Sequence, residues 1–225
     1  MTGAIRHPGM EVPLRCQCGR VRGIANGISP STGFRVVCYC KDCQVFARFL
    51  GRADVLDDAG GTDIFQMPVG RIKITTGRDA VGCLRLSKQG VYRWHTDCCR
   101  TPIGNTMGPH VPMIGVIHSF MDHEAGGHSR DVALGPPLCR IFERSALGPL
   151  PLTAPPPPKF SVFLRRISKL LVWSVHGLAR PNPFFDKHTG APYTIPHVLT
   201  SQERAALETP DADGSHPPPK ENLSN

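Results

Sequence analysis

Cys38-Tyr39-Cys40-Lys41-Asp42-Cys43 puts three thiols into one short stretch. Two smaller groups flank it, Cys16-Gln17-Cys18-Gly19 upstream and Cys98-Cys99-Arg100-Thr101-Pro102 downstream, and seven of the nine cysteines lie in the three groups. Thiols this close, each group beside turn-forming residues, suit Zn²⁺, which takes four ligands at tetrahedral corners about 2.3 Å away. Seven donors suffice for one closed four-thiolate site and one three-thiolate site with a corner left over. A closed site is structural, and an open one is where zinc chemistry happens.

A disulfide framework is the competing reading. Residues 1–13 contain no apolar segment of secretory type, so the expected compartment is the reducing cytoplasm, where dense cysteine reads as metal binding. A C-x-C loop is also so short that it strains a disulfide. Spacing alone does not choose the metal, and iron–sulfur ligation is the minor alternative.

At 225 residues the chain can hold one medium domain with an extension. The formal charge is +8 with every cysteine neutral; seven thiolates and two Zn²⁺ would lower it to about +5. The basic residues are dispersed, and two Trp and three Tyr are too few for a stacking ladder, so no nucleic-acid partner is expected. A positive surface suits small anionic substrates or an anionic membrane face.

Prolines 155–158 divide the chain. Upstream, short apolar or alternating runs at 34–39, 71–75, 83–86, 91–94 and 113–118 are punctuated by Gly and Pro, which predicts a mainly β domain over 1–152. One helix is predicted there, over 42–50, with Asp42 as its cap. Downstream, 153–208 reads as a proline linker, a basic amphipathic helix over 159–180 and a proline-rich segment at 181–196 that wraps the surface, with a short helix at 202–208. The helix is expected to pack on the β domain through Phe163, Ile167, Leu170 and Leu171. The alternative is a membrane surface or a protein partner, because no acidic residue lies between Lys159 and Arg180. The tail at 209–225 is expected to be disordered.

The order C-x-C-G, C-x-C-x-x-C, then a late cysteine group followed by Thr-Pro resembles the glutathione-dependent formaldehyde-activating enzyme family, which includes centromere protein V. The resemblance spans roughly 14–117. It implies a β-tent fold, similar to a zinc ribbon. It implies that Cys16, Cys18, Cys98 and Cys99 share a structural zinc while Cys38, Cys40 and Cys43 hold a second, open zinc. It also implies a carbon–sulfur lyase acting on a glutathione-type thiol adduct. The chain departs from that pattern in several places. Tyr39 stands where the family carries His, Thr96 stands at the first late cysteine position, Arg100 replaces a glycine, and Gln44-Val45-Phe46-Ala47-Arg48 is bulkier than usual.

A thiol reaching an open zinc would lose its proton, and the thiolate could add to an aldehyde carbon. Arg35, Arg48, Arg52 and Lys41 are candidates to clamp substrate carboxylates. Cys83 is a candidate fourth ligand of the second site, His95 a candidate hydrogen-bonding neighbour of the late cluster, and His118, His123 and His128 read as an exposed loop. The alternative function is a non-catalytic, zinc-stabilised interaction module.

Overall fold

The computed structural model describes residues 9–208, so the tail at 209–225 lies outside it. The chain opens with strands β1 (Met10–Arg15), β2 (Arg22–Ile28) and β3 (Phe34–Cys38), then helix α1 (Lys41–Phe49). Six strands follow: β4 (Thr62–Met67), β5 (Ile72–Thr76), β6 (Val81–Arg85), β7 (Tyr92–Thr96), β8 (Pro102–Thr106) and β9 (Ile114–Ile117). Then come α2 (Arg130–Leu134), β10 (Cys139–Ile141), α3 (Phe160–Val175), β11 (His197–Val198) and α4 (Ser201–Glu208). The fold is mainly β.

The strands make two sheets, a small one in the order β1-β2-β5 and an eight-stranded one in the order β10-β3-β4-β9-β8-β7-β6-β11. Leu14, Ala25 and Ile72 of the small sheet meet Phe65, Trp94 and Val116 of the large one to form the main core. On the opposite face of the large sheet, Val36, Cys38, Ile64, Leu84 and Ile117 pack with Val45 and Phe46 of α1, with Leu50 at its C-cap and with Leu207 of α4. Covered on both faces, β3 is buried at every position, whereas β5 alternates because one face meets water.

Residues beyond 152 enter these same cores. Phe184 stacks on Trp94 with ring centroids 4.6 Å apart, and Phe185 meets the same indole edge-on at 5.4 Å. The segment at 181–196, expected to wrap the surface, therefore plugs the main core. Phe184 and Phe185 are both buried there, and burying two large rings outweighs the irregular backbone that the prolines impose. β11 extends the large sheet beside β6 in parallel register, and α4 packs on α1.

The amphipathic segment docks differently from expectation. α3 rests on the domain through Trp173, with Leu170 beside it against Phe34 and Met113, and through Val162. Phe163, Ile167 and Leu171 are exposed. Apolar residues occupy two arcs of this helix, and the docked arc is the one that buries the indole, the largest side chain available. Among the described residues no helix is long and apolar enough to cross a membrane.

Candidate metal centres

Two tight turns build the first centre. In the β1–β2 turn, the amide of Cys16 donates to Val21 O at 3.0 Å and that of Gly19 to Cys16 O at 2.9 Å. The reversal needs the left-handed backbone of Gly19, φ 77°. In the β7–β8 turn, Thr96 N donates to Thr101 O at 3.0 Å and Arg100 N to Thr96 O at 2.8 Å. Arg100 sits at φ 55°, in the left-handed backbone region that a non-glycine residue seldom adopts.

These turns bring four sulfurs together. Cys16 and Cys18 lie 3.6 Å apart, Cys18 and Cys98 3.4 Å, Cys16 and Cys98 3.9 Å, and Cys98 and Cys99 3.9 Å. A tetrahedron with bonds of about 2.3 Å has sulfur–sulfur edges of about 3.8 Å, so the set fits a four-thiolate metal site. The Val21 amide donates to Cys16 Sγ at 3.3 Å, and Thr101 and Thr96 hydroxyls lie 3.2 and 3.4 Å from Cys99 Sγ. Burial opposes the Cys99 thiolate, yet the Thr101 and Thr96 hydroxyls hold it down to about 5. Thr96 thus becomes a donor to a neighbouring sulfur.

The second centre forms where β3 hands over to α1. Cys38 ends β3, Cys40 is the N-cap of α1, and Cys43 lies in its first turn. The cap is Cys40, whose sulfur accepts from the Cys43 amide at 3.4 Å, and not Asp42 as the sequence suggested. Asp42 instead bridges Arg93 of β7 at 3.3 Å and Arg204 of α4 at 2.9 Å. A sulfur serves as cap here because it already sits at the helix start for the other two thiols, and Asp42, in the first turn, can reach two guanidiniums.

Cys43 and Cys38 sulfurs lie 3.8 Å apart, and the three ligand atoms are all within 4.8 Å of one another. Among the described residues no further His, Cys, Asp or Glu joins the group. Cys38 and Cys43 are buried and Cys40 is partly exposed, so the cluster is reached over Cys40. Hydrogen bonds from the Cys38 and Cys43 thiols, helped by the Cys43 amide and the Arg93 charge, pull Cys40 down to about 3. One sulfur in each centre, Cys99 and Cys40, is thus favoured as thiolate, while burial and the neighbouring sulfurs hold Cys16, Cys98, Cys38 and Cys43 toward the neutral thiol; a divalent, thiophilic cation would reverse that preference.

Residues 9–194 match the model of the family described as "Family of unknown function (DUF6151)". The chain belongs to the DUF6151 family. No curated protein matches it. The DUF6151 match covers both cysteine centres and α3, and ends just ahead of β11 and α4.

The other candidates are distributed by the fold. Cys83 lies in the main core with Trp94, on the face of β6 opposite the second centre, while its neighbour Leu84 faces α1. It does not complete that centre, because alternation along the strand turns it away. Cys139 is buried in β10 beside Val36. His95 packs against Phe46 and Phe49 and pairs with Asp97, the residue before Cys98, at 3.3 Å. His123 is buried and His118 half-buried against Asp63, Arg35 and Arg130, so only His128 of that loop is freely exposed.

Three of the four cations proposed to clamp a substrate are engaged elsewhere. Arg35 is buried between Asp63 and Asp131, Arg48 donates to Leu207 O at 2.8 Å, and Arg52 grips Asp54 and reaches Thr101. Lys41, adjoining Cys40, is exposed. Arg93 escaped the sequence reading. It is buried over the Phe46 ring beside the second centre, and a charged residue inside the run Tyr92-Arg93-Trp94 was the signal that a buried ion pair waits there.

Proposed function

We infer that this is a zinc protein of the formaldehyde-activating-like class, with a β-tent fold, a structural zinc at Cys16, Cys18, Cys98 and Cys99, and a second zinc at Cys38, Cys40 and Cys43. The second centre binds the sulfur of a small thiol adduct and acts as a carbon–sulfur lyase. The observation that carries this reading is the asymmetry between the two groups: four converging sulfurs in one, three in the other with no fourth His, Cys, Asp or Glu among the described residues. The sulfur spacing and soft donor set fit zinc at both.

When bound, zinc supplies Lewis acidity that lowers the pKa of an incoming thiol. The chain's own residues do the rest. Cys40, the accessible sulfur, marks the side from which the substrate approaches. Arg93 offsets the negative charge of three thiolates from within the fold. Lys41 at the rim is an exposed cation that can meet a glutathione-type carboxylate.

One observation favours the non-catalytic alternative. Leu199 and Leu207 of the C-terminal segment pack in the core that includes Cys38 and Cys43, and Arg204 holds Asp42, so α4 clasps the helix that carries the site. Turnover distinguishes the two. Adding glutathione to formaldehyde makes one carbon–sulfur bond and moves the thiol proton to the carbonyl oxygen, and NMR exchange measures its rate. The zinc-loaded protein should speed that exchange, and Cys40→Ser, which keeps a good helix cap, should abolish the effect. Exchange no faster than in buffer supports the interaction module and rejects the lyase.

A further inference from the structure

We propose that α3 docks the protein on an anionic membrane surface. At 3.6 residues per turn, Phe160, Phe163, Leu164, Ile167, Leu171 and Val175 fall within about 120° of one another. All six are exposed, from 41 % at Ile167 to 84 % at Val175. The docked arc, carrying Val162, Leu170 and Trp173, lies on the other side. The outward arc is thus a continuous apolar strip about 24 Å long, given a 16-residue helix with a rise of about 1.5 Å per residue. Monomeric soluble surfaces rarely leave such a patch uncovered.

The occupant follows from charge. From Lys159 to Arg180 the chain has five Lys and Arg and no Asp or Glu. Lys159 and Arg165 are exposed and fall on opposite flanks of the apolar strip, with Arg180 beyond its end. An apolar strip edged by cations is the arrangement that sinks into the headgroup boundary of a bilayer, with basic side chains reaching up to phosphate. A second copy of the chain would bring the same positive edges against it, which disfavours self-association. The residues outside the described range, 1–8 and 209–225, carry only Met1, Ile5 and Leu223 as large apolar side chains, too few to cover six. The helix is too short to span, so it lies in the interface plane.

Co-sedimentation of the full chain with vesicles tests this. Vesicles of phosphatidylcholine with phosphatidylserine should bind at least tenfold more protein than phosphatidylcholine alone, and the binding should fall steeply between 0.1 and 0.5 M salt, about a twofold range of screening length. Leu164→Glu/Leu171→Glu replaces exposed positions, so circular dichroism and thermal midpoint should not change while vesicle binding drops at least tenfold. Lys159→Ser/Arg165→Ser should lose the preference for phosphatidylserine but keep the fold. The proposal is overturned if the intact chain does not bind anionic vesicles, if it binds neutral ones equally, or if the double Glu variant still binds. Sedimentation showing a dimer that the double Glu variant dissolves, without vesicle binding, would assign the strip to a second copy instead.

Discussion

Asp42 and Arg93 meet at 3.3 Å, joining the first turn of α1 to β7 beside the three-sulfur centre. Arg93 is buried and also reaches Asn105 at 3.3 Å, while the second carboxylate oxygen of Asp42 takes Arg204 from α4. One carboxylate therefore fixes the helix that carries Cys43 to the sheet beneath it and to the C-terminal helix above it.

Removing that carboxylate strands a buried cation. Asp42→Ala is expected to cost about 1–3 kcal/mol, below the full price of breaking a buried pair because Asp42 is itself partly exposed. Arg204→Ala, which loses only the outer partner, should cost under about 1 kcal/mol. Urea unfolding of both variants checks the order; equal costs would contradict the bridging role.

Phe184 stacks on Trp94 and is 1 % exposed. Phe184→Ala should destabilise by about 3–5 kcal/mol, the range for emptying an aromatic site in a core. Truncation after Leu152 removes Phe184, Phe185 and Trp173 together and should lower the thermal midpoint further. A truncated chain as stable as the intact one would show that the extension stands apart from the domain.

Burial pushes His123 down to about 4 from an ordinary 6.5, with the nearby Arg130 and Arg35 charges adding to it. Burial lowers His118 in the same direction. Between those two pH values the unfolded chain binds more protons than the folded one, so stability must fall as pH drops from 6.5 towards 4. His123 alone accounts for a loss on the order of 2–3 kcal/mol across that window. His123→Leu should flatten the slope of unfolding free energy against pH, and an unchanged slope would exclude the effect.

Much of this was legible in the residues, for stated reasons. Tight cysteine groups beside turns identified both metal-compatible clusters, because short thiol spacings leave few other uses. Alternation and turn residues found the runs that became β3, β5, β6, β7 and β9. β1, β2, β4, β8, β10 and β11 were missed, since strands such as Arg22-Gly23-Ile24-Ala25-Asn26-Gly27-Ile28 gain their stability from the partner sheet and not from local propensity. Asp42 looked like a cap because local rules favour it, but long-range partners such as Arg93 and Arg204 claimed it. α3 showed two apolar arcs, and periodicity cannot say which one meets the domain. The pairing of 184–185 with Trp94 had no local signal at all.

Metal content under a chelator tests most directly whether the chain holds two metal ions of unequal lability. Purified protein should carry two zinc per chain, and Cys40→Ser one, with the fold retained. A chelator should remove the ion at Cys38, Cys40 and Cys43 first, because three thiolates hold it less firmly than four, and glutathione should slow that loss by completing the tetrahedron. A single zinc per chain, or two that leave together at a rate indifferent to glutathione, would contradict the account.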